Sequence, residues 1–248
     1  MAYEALADIY DANMRDVNYT KWVDYIADLL DERGINRGAH VIDCGCGTGT
    51  GTVLLKKHGF DVCGADKSPQ MLNIAAENAR NAGQRIQFLN MDMRKLTLHR
   101  PVSAVISMCD GVNYLADITS LNEFFCAAHS SLIDGGVLAF DVSSKYKLEH
   151  ILGDNTFTEV NDNDAYIWEN QYDTASRLLT LDITVFIKKG NMFEKRAETQ
   201  IQRAHDVGEI VFALENNGFI NIKVFEAFSK ILYSETNERI QFIAQRGK

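Results

Sequence analysis

Several features are missing from this sequence of 248 residues, and each absence excludes a class of protein. No cluster of Lys and Arg is longer than two residues, and the net charge is -9. Nucleic-acid binders usually present a basic face, so we expect no nucleic acid as partner. No segment approaches the roughly 18 apolar residues of a membrane span, and residues 1–4 lack the basic start of a signal peptide. These absences predict a cytoplasmic protein that does not contact a membrane.

The cysteines form no pattern typical of disulfide or metal sites. There are five, an odd number, and two of them, Cys44 and Cys46, flank a glycine. No second Cys/His pair with the spacing of zinc ligands accompanies them, so we predict no metal. Reduced thiols in the cytoplasm are the simplest interpretation.

Hydrophobic residues make up 46% and charged residues 24% of the chain, which is ordinary for a globular protein. The length favours a single α/β domain over residues 1–248. Apolar segments that read as strands alternate with helical periodicity. The predicted strands are 41–44, 60–66, 86–90, 102–108 and 137–142, and the predicted helices are 3–14, 20–33, 53–57, 68–83, 121–133 and 143–152. A turn is predicted at 134–136. Such alternation is typical of a doubly wound, mostly parallel sheet.

The pattern changes at Asp154. Residues 154–204 show alternating apolar positions, with a hairpin turn at Lys189-Gly190-Asn191, which predicts an antiparallel β insertion of about four strands. This insertion is either structural or a lid that carries acceptor specificity. A helix at 207–216 and strands at 220–228 and 239–244 complete a predicted seven-stranded sheet.

The stretch from Asp43 to Gly49 places glycines on alternate positions between a strand and a helix, where open parallel sheets bind ligands. Every register of the dinucleotide fingerprint Gly-x-Gly-x-x-Gly/Ala fails, and no phosphate-binding Gly-Lys-Ser/Thr follows. A carboxylate at Asp43 would repel a pyrophosphate but suits a cationic or amine-bearing ligand. Asp66 ends the second strand, 17 residues after Gly49, and is placed to accept the hydroxyls of a ribose. The alternative is an ordinary exposed aspartate at a strand end.

The acid–glycine loop, Asp66, the Asp92-Met93 pair and the Gly135-Gly136 turn together resemble a class I S-adenosylmethionine-dependent methyltransferase. The resemblance covers residues 38–142. It implies a Rossmann-like methyltransferase fold whose seventh strand is antiparallel. The flanking residues and the β-rich insertion are similar to a bacterial subgroup that acts on small molecules and includes sugar N-methyltransferases.

The resemblance also implies a role for each matching residue. The methionine end of S-adenosyl-L-methionine would be held by Asp43, Gly45, Cys46 and Gly47, and the ribose by Asp66. The adenine would lie beside Lys67 and Met71, with Asp92 accepting its amino group and Met93 donating a backbone N–H. Cys109 would lie next to the methyl group, and the N-terminal helices would close over the site through Tyr10, Tyr19 and Trp22. From the residues alone, packing of these aromatic side chains between the helices and the sheet is an equal interpretation.

Two departures bear on the acceptor. The segment Asp110-Gly111-Val112-Asn113-Tyr114 lacks the prolines of methylases that act on nucleobase amino groups, and no proline adjoins a cysteine as in cytosine-C5 methylases. We therefore expect methyl transfer to nitrogen or oxygen of a small molecule. No catalytic residue is assigned, but Asp110 and Tyr114 are candidates for a base or orienting group. Packing is an equal interpretation of Tyr114. His205, at the end of the insertion, could face the mouth of the site but is more simply a surface or structural residue. A non-catalytic cofactor-binding sensor or scaffold and an NAD-dependent oxidoreductase are the alternative functions.

Overall fold

A computed structural model describes Tyr10, Met14 and residues 17–247. Apart from Tyr10 and Met14, the helix expected over 3–14 lies outside the described residues. Five α-helices follow in the described chain: α1 (Tyr19–Asp31), α2 (Thr50–Lys57), α3 (Pro69–Asn81), α4 (Ile118–Ser131) and α5 (Val207–Asn216). Side chains cap several of them as the sequence favours. Ser68 accepts from the N–H of Met71 at the start of α3, and Asp206 with Glu209 forms a capping box on α5.

Eleven strands in the described residues form two sheets. Their bounds are β1 (His40–Cys44), β2 (Asp61–Asp66), β3 (Gln87–Asn90), β4 (Val102–Ser107), β5 (Leu132–Ser143), β6 (Thr156–Val160), β7 (Asp164–Asp173), β8 (Leu178–Lys189), β9 (Met192–Arg203), β10 (Phe219–Glu226) and β11 (Arg239–Arg246). The larger sheet has the order β10-β11-β5-β4-β1-β2-β3, and β11 runs antiparallel to the other six strands. The predicted doubly wound, mostly parallel seven-stranded sheet is confirmed.

Alternate residues of the central strands face opposite layers of helices. Along β4, Val105 packs into a core with α4 and α5, whereas Ala104 and Ile106 pack into a second core with α1 and α2. Because side chains alternate across a strand, both faces of the sheet are buried, and these strands are apolar nearly throughout. The helices therefore leave the carboxyl ends of the strands as the place for a ligand.

Two local predictions are wrong. The turn expected at 134–136 lies inside β5, where Gly135 has a φ of +75° and the pairing with β4 shifts register between Val102 and Ala104. The chain therefore bends at a bulge rather than leaving the sheet. The helix expected over 143–152 is reduced to a six-residue π-helical segment, Lys147–Leu152, before the chain enters the second sheet.

The second sheet is antiparallel, with the order β6-β7-β8-β9, and occupies the range predicted for the insertion. Gly190, with a φ of +65°, forms the predicted hairpin turn between β8 and β9. Leu179 and Leu181 of β8 pack on Leu148 and Leu152 of the π-helical segment. No helix of the described residues is long and apolar enough to cross a membrane.

Candidate active site

A cavity of about 390 Å³ lies where β1, β2, β3 and β4 end. Thirteen of the residues predicted for the site line it: Tyr10, Tyr19, Asp43, Gly45, Cys46, Gly47, Asp66, Lys67, Met71, Asp92, Met93, Cys109 and Tyr114. The side chains of Trp22 and Asp110 lie elsewhere. Among the residues the structure describes, no three His, Cys, Asp or Glu side chains are grouped to hold a metal ion.

The glycine loop approaches the cavity with its backbone. Gly45 has a φ of +70°, and a Cβ there would lie 3.2 Å from Cε of Met93. Gly49 starts α2 in the left-handed region, and a Cβ there would lie 2.9 Å from Cβ of Ala75. Side chains at these positions would push the loop away from α3 and from the opposite wall of the cavity, which explains why the loop requires glycine.

Asp43 is the buried acid behind the loop, with only 2% of its surface exposed. Its Oδ2 accepts a hydrogen bond of 2.6 Å from the hydroxyl of Thr52 on α2. Burial raises the pKa of Asp43 to about 7, although the Thr52 bond acts in the opposite direction. A buried carboxylate of this kind is stabilised by a cationic partner. Thr52 was not predicted from the sequence, where its only signal is a hydroxyl in the first turn of the helix after the loop.

Asp66 bridges two segments of backbone at the end of β2. Its Oδ2 accepts from the N–H of Gly47 at 2.9 Å and its Oδ1 from the N–H of Ser68 at 2.8 Å. Burial raises its pKa despite these bonds. An ionised carboxylate offers about four acceptor sites, and the backbone N–H groups of Gly47, Ser68 and Lys67 use only part of them. Two donors side by side, as in a vicinal diol, match this arrangement.

Asp92 forms an ion pair with Arg94, a cavity-lining residue that was not predicted from the sequence. Nε and Nη2 of Arg94 both reach the carboxylate, the latter at 2.6 Å, and its backbone N–H donates at 3.0 Å. The side-chain bond from Arg94 lowers the pKa of Asp92. These contacts use most of the acceptor capacity, so a further donor would share an oxygen with Arg94. The spacing Asp-x-Arg at the start of a helical turn was the available signal.

Three tyrosines and a cysteine are among the other lining residues of the cavity: Tyr10, Tyr19, Tyr114 and Cys109. Burial raises the pKa of Tyr10, and neighbouring Tyr19 raises it further. Burial likewise raises the pKa of the Cys109 thiol. Tyr10 and Cys109 are therefore protonated at neutral pH and present hydrogen-bonding groups rather than bases.

The segment Gly111–Tyr114 connects the cavity to the second sheet. The Tyr114 hydroxyl donates to Oε1 of Gln200 on β9 at 2.7 Å. Nδ2 of Asn113 donates to the carbonyls of Ser143 at 3.0 Å and of Arg203 at 2.9 Å. Gln200 is only 3% exposed and had no local sequence signal, because its role depends on how two sheets dock.

His205 lies beneath this connection and is buried, so of the two simpler interpretations it is the structural one and not the surface one that fits. Its Nε2 is 3.0 Å from the carbonyl oxygen of Leu115 and its Nδ1 is 2.8 Å from Nη1 of Arg203. Since a carbonyl accepts and a guanidinium donates, the ring is neutral with its proton on Nε2. Burial lowers its pKa to about 4.

Trp22 and Asp110 both contact Arg239 of β11, and none of the three lines the cavity. The Trp22 ring lies 4.7 Å from the guanidinium carbon, and Nη1 of Arg239 donates to Oδ1 of Asp110 at 3.0 Å. Trp22 also packs edge-on against Phe228, with 5.0 Å between ring centroids. Neither side chain is placed to contact a ligand in the cavity.

The donor and acceptor groups of the cavity fit the ligand implied by the resemblance. Asp43 suits an ammonium group, the carboxylate of Asp66 suits ribose hydroxyls, and Asp92 lies at the far end beside Met93. Open space beside Gly47, where an added Cβ would meet nothing within 4 Å, leaves room along the loop. This charge pattern disfavours a pyrophosphate, which would lie against buried carboxylates.

Comparisons with known proteins agree with this geometry. A family model described as "Methyltransferase domain" matches residues 41–136. "Putative methyltransferase YqeM" of Bacillus subtilis (strain 168) is 32% identical over 249 aligned residues, covering 100% of this chain and 98% of that protein. The structure of an S-adenosylmethionine-dependent methyltransferase from Clostridium acetobutylicum ATCC 824 has a TM-score of 0.87 at 29% identity, covering 100% of both chains.

The sugar N-methyltransferase KedS8 from Streptoalloteichus sp. ATCC 53650 shares the fold, with a TM-score of 0.80 at 18% identity and coverage of 100% of this chain and 96% of that chain. The matched proteins decide against the oxidoreductase alternative and give S-adenosyl-L-methionine as the cofactor. This chain belongs to the class I S-adenosylmethionine-dependent methyltransferases.

Proposed function

We propose that the enzyme transfers the methyl group of the cofactor to a nitrogen atom of a small molecule, which binds between the glycine loop and Tyr114. One observation carries this proposal. The phenols of Tyr10, Tyr19 and Tyr114 and the thiol of Cys109 border one part of the cavity, which we call the acceptor end. Among the described lining residues, Lys and Arg occur only as Lys67 and Arg94, next to Asp66 and Asp92. A polyanionic acceptor would meet no basic surface at the acceptor end.

The protonation states favour nitrogen over oxygen. The bound cofactor supplies a methyl group that is already electrophilic, so the protein's main task is to align the acceptor. A neutral amine needs no base, whereas a hydroxyl requires one near its proton. Tyr10 and Cys109 are held protonated by burial, and Asp110 is turned away onto Arg239. The sugar N-methyltransferase activity named for KedS8 supports the same choice.

Within this proposal the lining residues have four roles. Asp43, Gly45, Cys46 and Gly47 hold the methionine end of the cofactor, and Asp66, Lys67, Met71, Asp92 and Met93 hold the adenosine. Tyr114, fixed by Gln200, orients the acceptor rather than removing its proton, while Tyr10 and Tyr19 close the cavity. The antiparallel insertion thus acts as part of a single domain and contributes to acceptor specificity. Five free cysteines support a reducing compartment such as the cytoplasm.

Turnover on a panel of small amines and matched hydroxylated metabolites tests the proposal. We expect release of S-adenosylhomocysteine with one or more amines and none with the matched alcohols. Activity confined to alcohols would overturn the nitrogen assignment. Tight cofactor binding without product from any acceptor would instead favour a non-catalytic sensor or scaffold.

A further inference from the structure

We propose that Arg239 is a positioning residue that fixes the Cys109–Asp110 corner against the methyl-transfer end of the cavity, an inference that rests on the proposed function. The corner follows β4 after one residue, Met108. Cys109 and Asp110 have φ angles of +57° and +54°, so two consecutive residues with a Cβ occupy the left-handed region. Such backbone is strained in residues other than glycine and persists only where its surroundings hold it.

Arg239 gathers the groups that hold the corner. Its Nη1 donates to Oδ1 of Asp110 at 3.0 Å and also to Oδ2 of Asp141 on β5. The same Asp141 oxygen accepts from the backbone N–H of Asp110 at 3.0 Å, and the hydroxyl of Ser143 donates to Oδ2 of Asp110 at 3.2 Å. Both the backbone and the side chain of Asp110 are thereby fixed to neighbouring strands.

The direction of β11 explains how Arg239 reaches this place. Because β11 is antiparallel to β5, its first residue lies at the edge where the parallel strands end, and Arg239 pairs with Ser143. A parallel strand would present its last residue there instead. Because β11 is reversed, it places the Arg239 guanidinium beside Asp110, which follows β4, and beside Asp141, which lies within β5.

The ion pairs of Arg239 with Asp110 and Asp141 are largely shielded from solvent. Asp141 is 1% exposed, and Trp22 covers the guanidinium. Burial acts to raise the pKa of Asp110, but Arg239 and Lys147 outweigh it, so the pKa of Asp110 lies below its usual range and the carboxylate stays ionised. Cys109 lines the cavity, whereas Arg239 and Asp141 do not, so Arg239 acts on the site through the corner.

Thiol labelling reports the position of the corner without any acceptor. The variants are Arg239→Met and Arg239→Lys, made in a Cys126→Ser background because Cys126 is exposed. The alkylation rate of Cys109 is measured by peptide mass spectrometry, with Cys63 on β2 as internal reference. Released from its contacts, the corner opens locally, so we expect Cys109 to react about fivefold or more faster in Arg239→Met and less so in Arg239→Lys. The Cys63 rate should not change.

Turnover then separates positioning from stability. Removing one partner of a buried ion pair leaves an uncompensated charge, so Arg239→Met also destabilises the fold. The double variant Arg239→Met/Asp110→Asn reduces that charge imbalance and should regain stability, measured by urea unfolding. If Arg239 positions the corner, kcat with an amine from the panel stays lower by roughly a hundredfold, as for a displaced reacting group, while binding of S-adenosylhomocysteine changes by about twofold or less.

Two results would overturn the proposal. One is recovery of kcat together with stability in the double variant, which a purely structural ion pair predicts. The other is a parallel rise in the Cys109 and Cys63 labelling rates, which would indicate general loosening. A lack of turnover with every amine would count against the proposed function, and the labelling comparison would still decide the role of Arg239.

Discussion

The hydroxyl of Tyr114 donates a 2.7 Å hydrogen bond to Oε1 of Gln200, which joins the wall of the cavity to the antiparallel sheet. Nε2 of Gln200 in turn donates to Oε1 of Glu198 at 2.9 Å. The tyrosine ring is therefore held from outside the seven-stranded sheet. The orientation of an acceptor against Tyr114 thus depends on the insertion as well as on the methyltransferase core.

Tyr114→Phe keeps the ring and removes this bond. We expect kcat with an amine acceptor to fall about tenfold, the effect of one hydrogen bond of roughly 1.5 kcal/mol. The affinity for S-adenosylhomocysteine should not change, because the carboxylates of Asp43, Asp66 and Asp92 are not altered. Gln200→Leu should give the same pattern, and Tyr166→Phe on β7 is the control. A loss of cofactor affinity equal to the loss of kcat would contradict the assignment of Tyr114 to the acceptor.

Asp66→Ala tests the ribose assignment. The affinity for S-adenosylhomocysteine, measured by calorimetry, should fall tenfold or more, since hydrogen bonds to a charged acceptor contribute about 1.5–3 kcal/mol. Asp61→Ala is the matched control, because Asp61 starts the same strand at its opposite end and is half exposed. An unchanged dissociation constant for Asp66→Ala would refute the ribose role.

Asp43 should make cofactor binding depend on pH. Its pKa is raised to about 7, so the free enzyme carries a neutral acid below that pH, whereas an ammonium group is bound best by the carboxylate. The affinity for S-adenosylhomocysteine should therefore fall by up to about tenfold per pH unit below 7. Asp43→Asn should bind weakly with a flatter profile between pH 5.5 and 7.5. An equally steep profile in Asp43→Asn would show that another group is responsible.

The sequence predicted the parts of the site that depend on local structure. The glycine loop, Asp66 and Asp92 follow predicted strands, and parallel strands bring their carboxyl ends to one edge. Trp22 and Asp110 were misplaced because Arg239, 129 residues beyond Asp110, engages both, and such a contact depends on the reversed strand β11. Gln200 depends on how the two sheets dock. Arg94, by contrast, lies two residues from Asp92, so its contact with that carboxylate could have been predicted from the local sequence.

His205 should destabilise the fold in acid. Its pKa is about 4 in the folded state and about 6.5 when unfolded, so between these values the unfolded chain binds the extra proton. The free energy of unfolding should therefore rise with pH from 4 to 6.5, by about 3 kcal/mol from this residue. Urea unfolding of His205→Gln should lose that increment, whereas exposed His99→Gln should keep it. Identical pH profiles for wild type and His205→Gln would contradict the buried neutral imidazole.

The size class of the acceptor is tested most directly with cofactor carrying a deuterated methyl group. A bacterial cell extract is divided by ultrafiltration into metabolites and macromolecules, and each fraction is incubated with the enzyme and with Asp66→Ala. Mass spectrometry should find the heavy methyl group on an amine in the metabolite fraction, strongly reduced with Asp66→Ala. Label in RNA, DNA or protein, with none among the metabolites, would contradict a small molecule as the methyl acceptor.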